Sequence, residues 1–82
     1  KRVYTPQEQT FSPQRKVTVF ALKEATVKAT GKTMSQIEIT YDNEQPRVEV
    51  EDWQINCSVS HEEGITVAMV IAQETDKNKE QQ

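Results

Sequence analysis

The spacing of apolar and polar positions changes period once along the chain, at Gly31. Before it, Val17, Phe20, Ala21, Leu22 and Ala25 recur at helical spacing and predict a helix with one buried stripe. Ser12 is placed to cap the first turn and Pro13 suits the first helical position. Gly31 predicts the stop, so the helix should run to about Thr30. Upstream, Thr5-Pro6-Gln7-Glu8 predicts a separate short helix start in which Thr5 and Glu8 form a capping box.

After Gly31 the period becomes two. Ile37, Ile39 and Tyr41 alternate with Glu38 and Thr40, the pattern of a half-buried strand. Residues 42–45 read as a turn, and Val48 and Val50, alternating with Arg47, Glu49 and Glu51, complete a hairpin. Ile55, Cys57 and Val59 mark a third strand, with Asn56, Ser58 and Ser60 on its other face. Glu62-Glu63-Gly64 reads as a turn. Residues 65–72 are the most apolar stretch and predict a central strand. The expected architecture is α+β, an antiparallel sheet of three to four strands packed on one long helix. Residues 1–73 form the predicted single domain. Residues 74–82 are a polar tail without apolar anchors, expected to be mobile.

Composition sharpens this picture. A chain of 82 residues with 34% hydrophobic residues buries only about 60% of its unfolded surface, so a partner chain or a further segment would add needed burial. The abrupt Lys1-Arg2 start without an initiator Met suggests that residues precede it. No apolar run approaches the roughly 20 residues of a membrane span, so no membrane contact is expected. The single cysteine, Cys57, fits a reducing, cytoplasmic setting. The net charge of −3 hides an asymmetry: residues 1–33 sum to +5 and residues 34–82 to −8. A basic first half suits an anionic ligand or partner, or is simply a solvated helix face.

Candidate chemistry is sparse. Cys57 and His61 lie four apart on one predicted strand, about 13 Å from each other, too far for a thiolate–imidazolium pair. Cys57 therefore reads as a small core residue. Two segments stand out together. The first is Phe20-Ala21-Leu22-Lys23-Glu24-Ala25-Thr26-Val27-Lys28-Ala29-Thr30-Gly31. The second is Ser58-Val59-Ser60-His61-Glu62, followed by the apolar strand. With the early Arg2-Val3-Tyr4-Thr5-Pro6-Gln7-Glu8, they occur in the order found in one enzyme family.

On these residues the chain resembles the phosphopantetheinyl transferase superfamily, specifically the small holo-acyl-carrier-protein synthases. Their helix reads F-A-x-K-E-A-x-x-K-A-x-G, their strand end S-x-[ST]-H and their early segment R-[IV]-[FLY]-T-x-x-E. The match spans most of residues 2–73. The resemblance implies transfer of 4′-phosphopantetheine from coenzyme A to a serine of an acyl carrier protein. That chemistry needs charge neutralisation on a pyrophosphate and a positioned nucleophile. By the same resemblance, Glu24 would hold Mg2+, directly or through water. Lys28, one turn later, would reach a phosphate oxygen. His61 would bind a phosphate of the nucleotide, with Ser58 or Ser60 adding a hydroxyl. Members of this type are usually trimers with sites between subunits, which implies a homo-oligomer.

Each residue also has a plainer role. Glu24 and Lys28 make an ordinary i,i+4 ion pair of about 0.3–0.5 kcal/mol. His61 suits any polar strand end, Ser58 and Ser60 any outward strand position, and Phe20, Ala21 and Ala25 read as core packing. The sequence also departs from the family. The aspartate of its G-[IV]-D strand has no counterpart here, Val19 stands where arginine usually precedes the phenylalanine, and the loop after the helix is cut to Gly31-Lys32-Thr33-Met34. Alternatives to the enzyme are therefore a non-catalytic or truncated relative binding a nucleotide or a protein, and an unrelated α+β module whose basic helices dock an acidic partner. Nucleic acid is the weakest option, because Tyr4, Phe11, Phe20, Tyr41 and Trp53 form no stacking platform.

Overall fold

A computed structural model describes residues 4–75. A 3-10 turn, Glu8–Thr10, leads into helix α1, Pro13–Thr30. A second 3-10 turn, Met34–Gln36, leads into four strands: β1 Glu38–Asp42, β2 Gln45–Glu49, β3 Trp53–Glu62 and β4 Ile65–Glu74. The strands form two antiparallel hairpins, β1–β2 and β3–β4, each a two-stranded sheet. The expected single sheet of three to four strands is thus divided. The break falls where β2 ends: Val50 makes one bridge to Trp53, and the paired ladder does not continue.

The helix ends follow local chemistry. The Ser12 hydroxyl accepts from the Arg15 N–H at 3.2 Å, Pro13 takes the first turn, and Gly31 closes the helix at φ +78° with its N–H donating to Val27 O. The capping box also forms: Thr5 N–H donates to Glu8 Oε1 at 3.0 Å, and Glu8 N–H donates to Thr5 Oγ1 at 3.2 Å. It caps only the single 3-10 turn.

The buried face of α1 differs from the expected stripe. Thr18, Val19, Leu22, Lys23 and Thr26 are buried, whereas Val17 and Phe20 are exposed. The reason is that the buried polar residues are satisfied in place. Thr26 Oγ1 donates to Leu22 O at 2.7 Å and Thr18 Oγ1 to Gln14 O at 3.5 Å. Lys23 Nζ lies 2.7 Å from Glu8 Oε1, both side chains being fully buried, and also donates to Met34 O at 3.3 Å. Glu8 Oε2 accepts the Ile39 N–H at 2.6 Å. One carboxylate thereby joins the first turn, the helix and β1.

Val19 and Leu22 meet Ile37, Ile39, Val48 and Val50 in the core, with Ile39 opposite Val48 across β1–β2. The second hairpin turns at Glu63 and Gly64, both at positive φ, the requirement of a two-residue type I′ turn. Its inner face carries Trp53, Ile55, Cys57 and Val59 on β3 and Ala68 and Val70 on β4, all half-buried against the core. Helix α1 lies over β4, whose inner face carries the small Ala68 and Ala72. The outer face is different. Ile65, Val67, Met69 and Ile71 are 57–65% exposed. The stretch expected to form a central strand is therefore an edge strand, covered on one face only. It also runs through Glu74, one residue past the predicted domain end. Residues 76–82 of the predicted mobile tail lie outside the described residues.

Candidate functional site

The resemblance-derived residues divide between the two ends of the helix. His61 projects from the helix-facing side of β3, at its last turn, and its Nδ1 lies 3.1 Å from Thr66 Oγ1. It lines a cleft of about 650 Å3 with Ser12, Arg15 and Thr18 from the first half of α1, and Tyr41, Cys57 and Ser58. Glu24 and Lys28 lie nine and thirteen residues beyond Arg15 on the same helix. At 1.5 Å per residue that is roughly 13 and 20 Å further along the axis. Both are exposed and neither lines the cleft. Ser60 is exposed on the outer face of β3 and does not line it either. One chain thus leaves Glu24, Lys28 and Ser60 apart from His61; Ser58 borders the cleft, but by strand alternation it shares the outer face of β3 with Ser60 rather than the face of His61.

The cleft wall missed by the sequence reading is Arg15 on Tyr41. The guanidinium carbon sits 3.9 Å from the ring centroid, a cation–π contact. Arg15 also donates to Asn43 O at 3.4 Å and approaches Glu44 at 3.7 Å. Phe11 meets Tyr41 edge-on at 5.5 Å. Burial pushes the Tyr41 phenol above its ordinary pKa, partly offset by the nearby Arg15 charge and the Thr18 hydroxyl. Burial also raises the Cys57 thiol, which donates to Pro46 O at 3.5 Å. A raised thiol pKa is the opposite of what a nucleophilic cysteine needs. Cys57 behaves as the half-buried packing residue its strand position predicts.

The resemblance implies Mg2+ at Glu24. Among the described residues no group of three or more His, Cys, Asp or Glu side chains is gathered to hold a metal. A lone exposed carboxylate does not make a resident magnesium site, because the ion needs further oxygens that here only substrate phosphates would bring. The basic excess of the first half stays at its surface, since the fully buried Lys23 is matched by Glu8 and the pair adds nothing to the sum.

The remaining feature is the outer face of the β3–β4 hairpin. β3 presents Gln54, Asn56, Ser58 and Ser60 as a polar, uncharged row. Beside it, β4 presents Ile65, Val67, Met69 and Ile71, one row of large apolar side chains at alternate positions. Register places Ser58 opposite Met69 and Ser60 opposite Val67. From their fractional exposures the apolar row offers on the order of 400 Å2, the size of the largest patch on a typical monomer and often a functional one. The sequence signal was the apolar stretch of residues 65–72, which predicts a central strand.

No protein-family model, no curated protein and no solved structure matches this chain.

Proposed function

We propose that this domain is a non-catalytic interaction module that docks through the outer face of β4. The observation that carries the reading is the row Ile65, Val67, Met69 and Ile71, each more than half exposed on a strand that bears no charge from Ile65 to Gln73. Isolated edge strands are ordinarily protected by lysine, proline or a bulge. This one has none of them. Its inner face already packs on the helix, so the outer row adds little to the folding of a single chain and is free to bind.

The test is the double variant Val67→Thr/Met69→Gln. Its unfolding free energy should stay within about 0.5 kcal/mol of the wild type, because both residues are on the solvated face. The wild type should show either binding of a hydrophobic dye or self-association between about 1 and 200 µM. The variant should show neither. A wild type that shows neither sinks the reading.

A second reading is transfer of 4′-phosphopantetheine from coenzyme A to an acyl carrier protein, on a holo-acyl-carrier-protein synthase-like fold in which the two hairpins act as one four-stranded sheet. It is favoured by Glu24 and Lys28, one turn apart and both accessible to a phosphate ligand. Their distance from His61 means that a neighbouring copy would have to complete the site, as in a trimer. Mass spectrometry of a carrier protein incubated with coenzyme A, magnesium and this chain tests it. A gain equal to the phosphopantetheine arm supports transfer, and an unchanged mass refutes it.

A further inference from the structure

We infer that the partner on the outer face of β4 is a second copy of this chain, with the two β3–β4 hairpins stacked outer face to outer face about a twofold axis. This rests on the docking reading above and names its partner. Three observations carry it.

The first is charge. The outward rows of β3 and β4 hold no ionised side chain except Glu62, at the turn end of β3 opposite Ile65. A partner chosen by charge complementarity would find nothing to pair with on this face. A copy of the same face meets it without like-charge cost, even though each chain carries a net −3. The second is area. Two apolar rows together supply on the order of 800 Å2, and the flanking polar rows of β3 bring the total to roughly 1,200 Å2, the lower bound for a specific, stable interface. The third is the pattern of β4 itself. Its inner side carries Ala68, Val70 and Ala72 and its outer side Ile65, Val67, Met69 and Ile71. A strand apolar on both sides is the pattern of a strand covered on both.

The rows also fit one another. Stacked sheets lie about 10 Å apart with their side chains interdigitated. A twofold axis near the middle of β4 makes the contact isologous: Val67 and Met69 of each copy lie at the centre, with the Ile65 and Ile71 side chains toward the ends. The polar β3 row then forms the rim on both sides, matching the apolar-centre, polar-rim anatomy of protein interfaces.

Sedimentation velocity on the full chain, from about 1 to 200 µM, tests the inference. The 9.4 kDa chain should sediment at twice that mass in the upper part of the range. Met69→Lys should weaken association by about 100-fold or more, since each dimer would bury two uncompensated ammonium groups. Val67→Thr, which adds no charge, should weaken it less, and identical far-UV circular dichroism would show both variants folded. A wild type that remains monomeric at the highest concentration overturns the inference, as does a Met69→Lys chain that dimerises like the wild type. A hydrophobic dye then separates the two levels. A monomer that binds dye, and loses it on Met69→Lys, keeps the docking surface and assigns it another partner. A monomer that binds none overturns both. A mass of three chains, lost on Met69→Lys, overturns the twofold stacking and keeps the docking surface.

Discussion

Replacing Glu8 is the perturbation for which the structure makes the largest demand. Its carboxylate is fully buried and accepts from three directions: the Thr5 N–H at 3.0 Å, the Ile39 N–H at 2.6 Å and the Lys23 ammonium at 2.7 Å. Glu8→Ala removes the charge that compensates a fully buried ammonium, a loss of about 3–5 kcal/mol for one partner of a buried pair. It also takes from the Ile39 N–H its acceptor, a further cost of about 1–3 kcal/mol, although the two overlap and do not simply add. A domain of 82 residues has about 4–12 kcal/mol of total stability. Glu8→Ala should therefore leave the protein largely unfolded or close to it at 37 °C. Glu8→Gln offers one carbonyl oxygen where two are used, to Ile39 or to Thr5 and Lys23 but not to both, so its cost should approach that of Glu8→Ala, about 3 kcal/mol or more. The double variant Glu8→Met/Lys23→Met removes both charges at similar volume and should recover much of the loss. The unpaired Ile39 N–H keeps it below the wild type. Urea unfolding followed by the fluorescence of Trp53, the only tryptophan, measures all three. If Glu8→Ala costs less than about 1 kcal/mol, the carboxylate does not join the first turn, helix and β1 as described.

Two smaller predictions follow from particular groups. Gly31 lies at φ +78° with open space where a Cβ would stand, so Gly31→Ala should cost about 1–2 kcal/mol through backbone strain alone, read from the same urea curves. The Cys57 thiol is raised by burial, so the folded chain holds that proton more tightly than the unfolded chain. Its contribution to stability is complete below the ordinary thiol pKa and is lost as pH rises from about 9 through the folded value. The wild type should consequently lose stability at alkaline pH faster than Cys57→Ala, and native Cys57 should react with iodoacetamide more slowly than a free thiol at pH 8. Equal slopes, or unhindered alkylation, would contradict the assignment of Cys57 to packing.

Features set by neighbouring residues were readable without coordinates. Ser12-Pro13 and Gly31 mark both helix ends because a cap and a left-handed stop need only the local backbone. The hairpins were readable because alternation and turn residues are also local. What was misread depends on contacts across the chain. Glu8 was recognised as a capping residue, yet its larger role is the ion pair with Lys23, fifteen positions away, which no local pattern signals. The helix stripe was displaced toward Val17 and Phe20 because hydrophobicity does not register that Thr18, Lys23 and Thr26 satisfy their polar atoms inside. The cleft around Arg15 and Tyr41 needed the placement of α1 over the second hairpin. Residues 65–72 were readable as a strand, but the expected central position was wrong: apolar residues on both faces fit two covers as well as two neighbouring strands. A single chain supplies only one of the two covers.

Methyl NMR spectra recorded on dilution from about 500 to 10 µM test the docking claim most directly, because they report on each apolar side chain separately. The methyl signals of Ile65, Val67, Met69 and Ile71 should move together with concentration, while those of the buried Val19, Leu22, Ile37 and Ile39 stay fixed. Outer-row signals that do not move, in a sample whose mass nevertheless changes with concentration, would put the contact elsewhere and contradict the account.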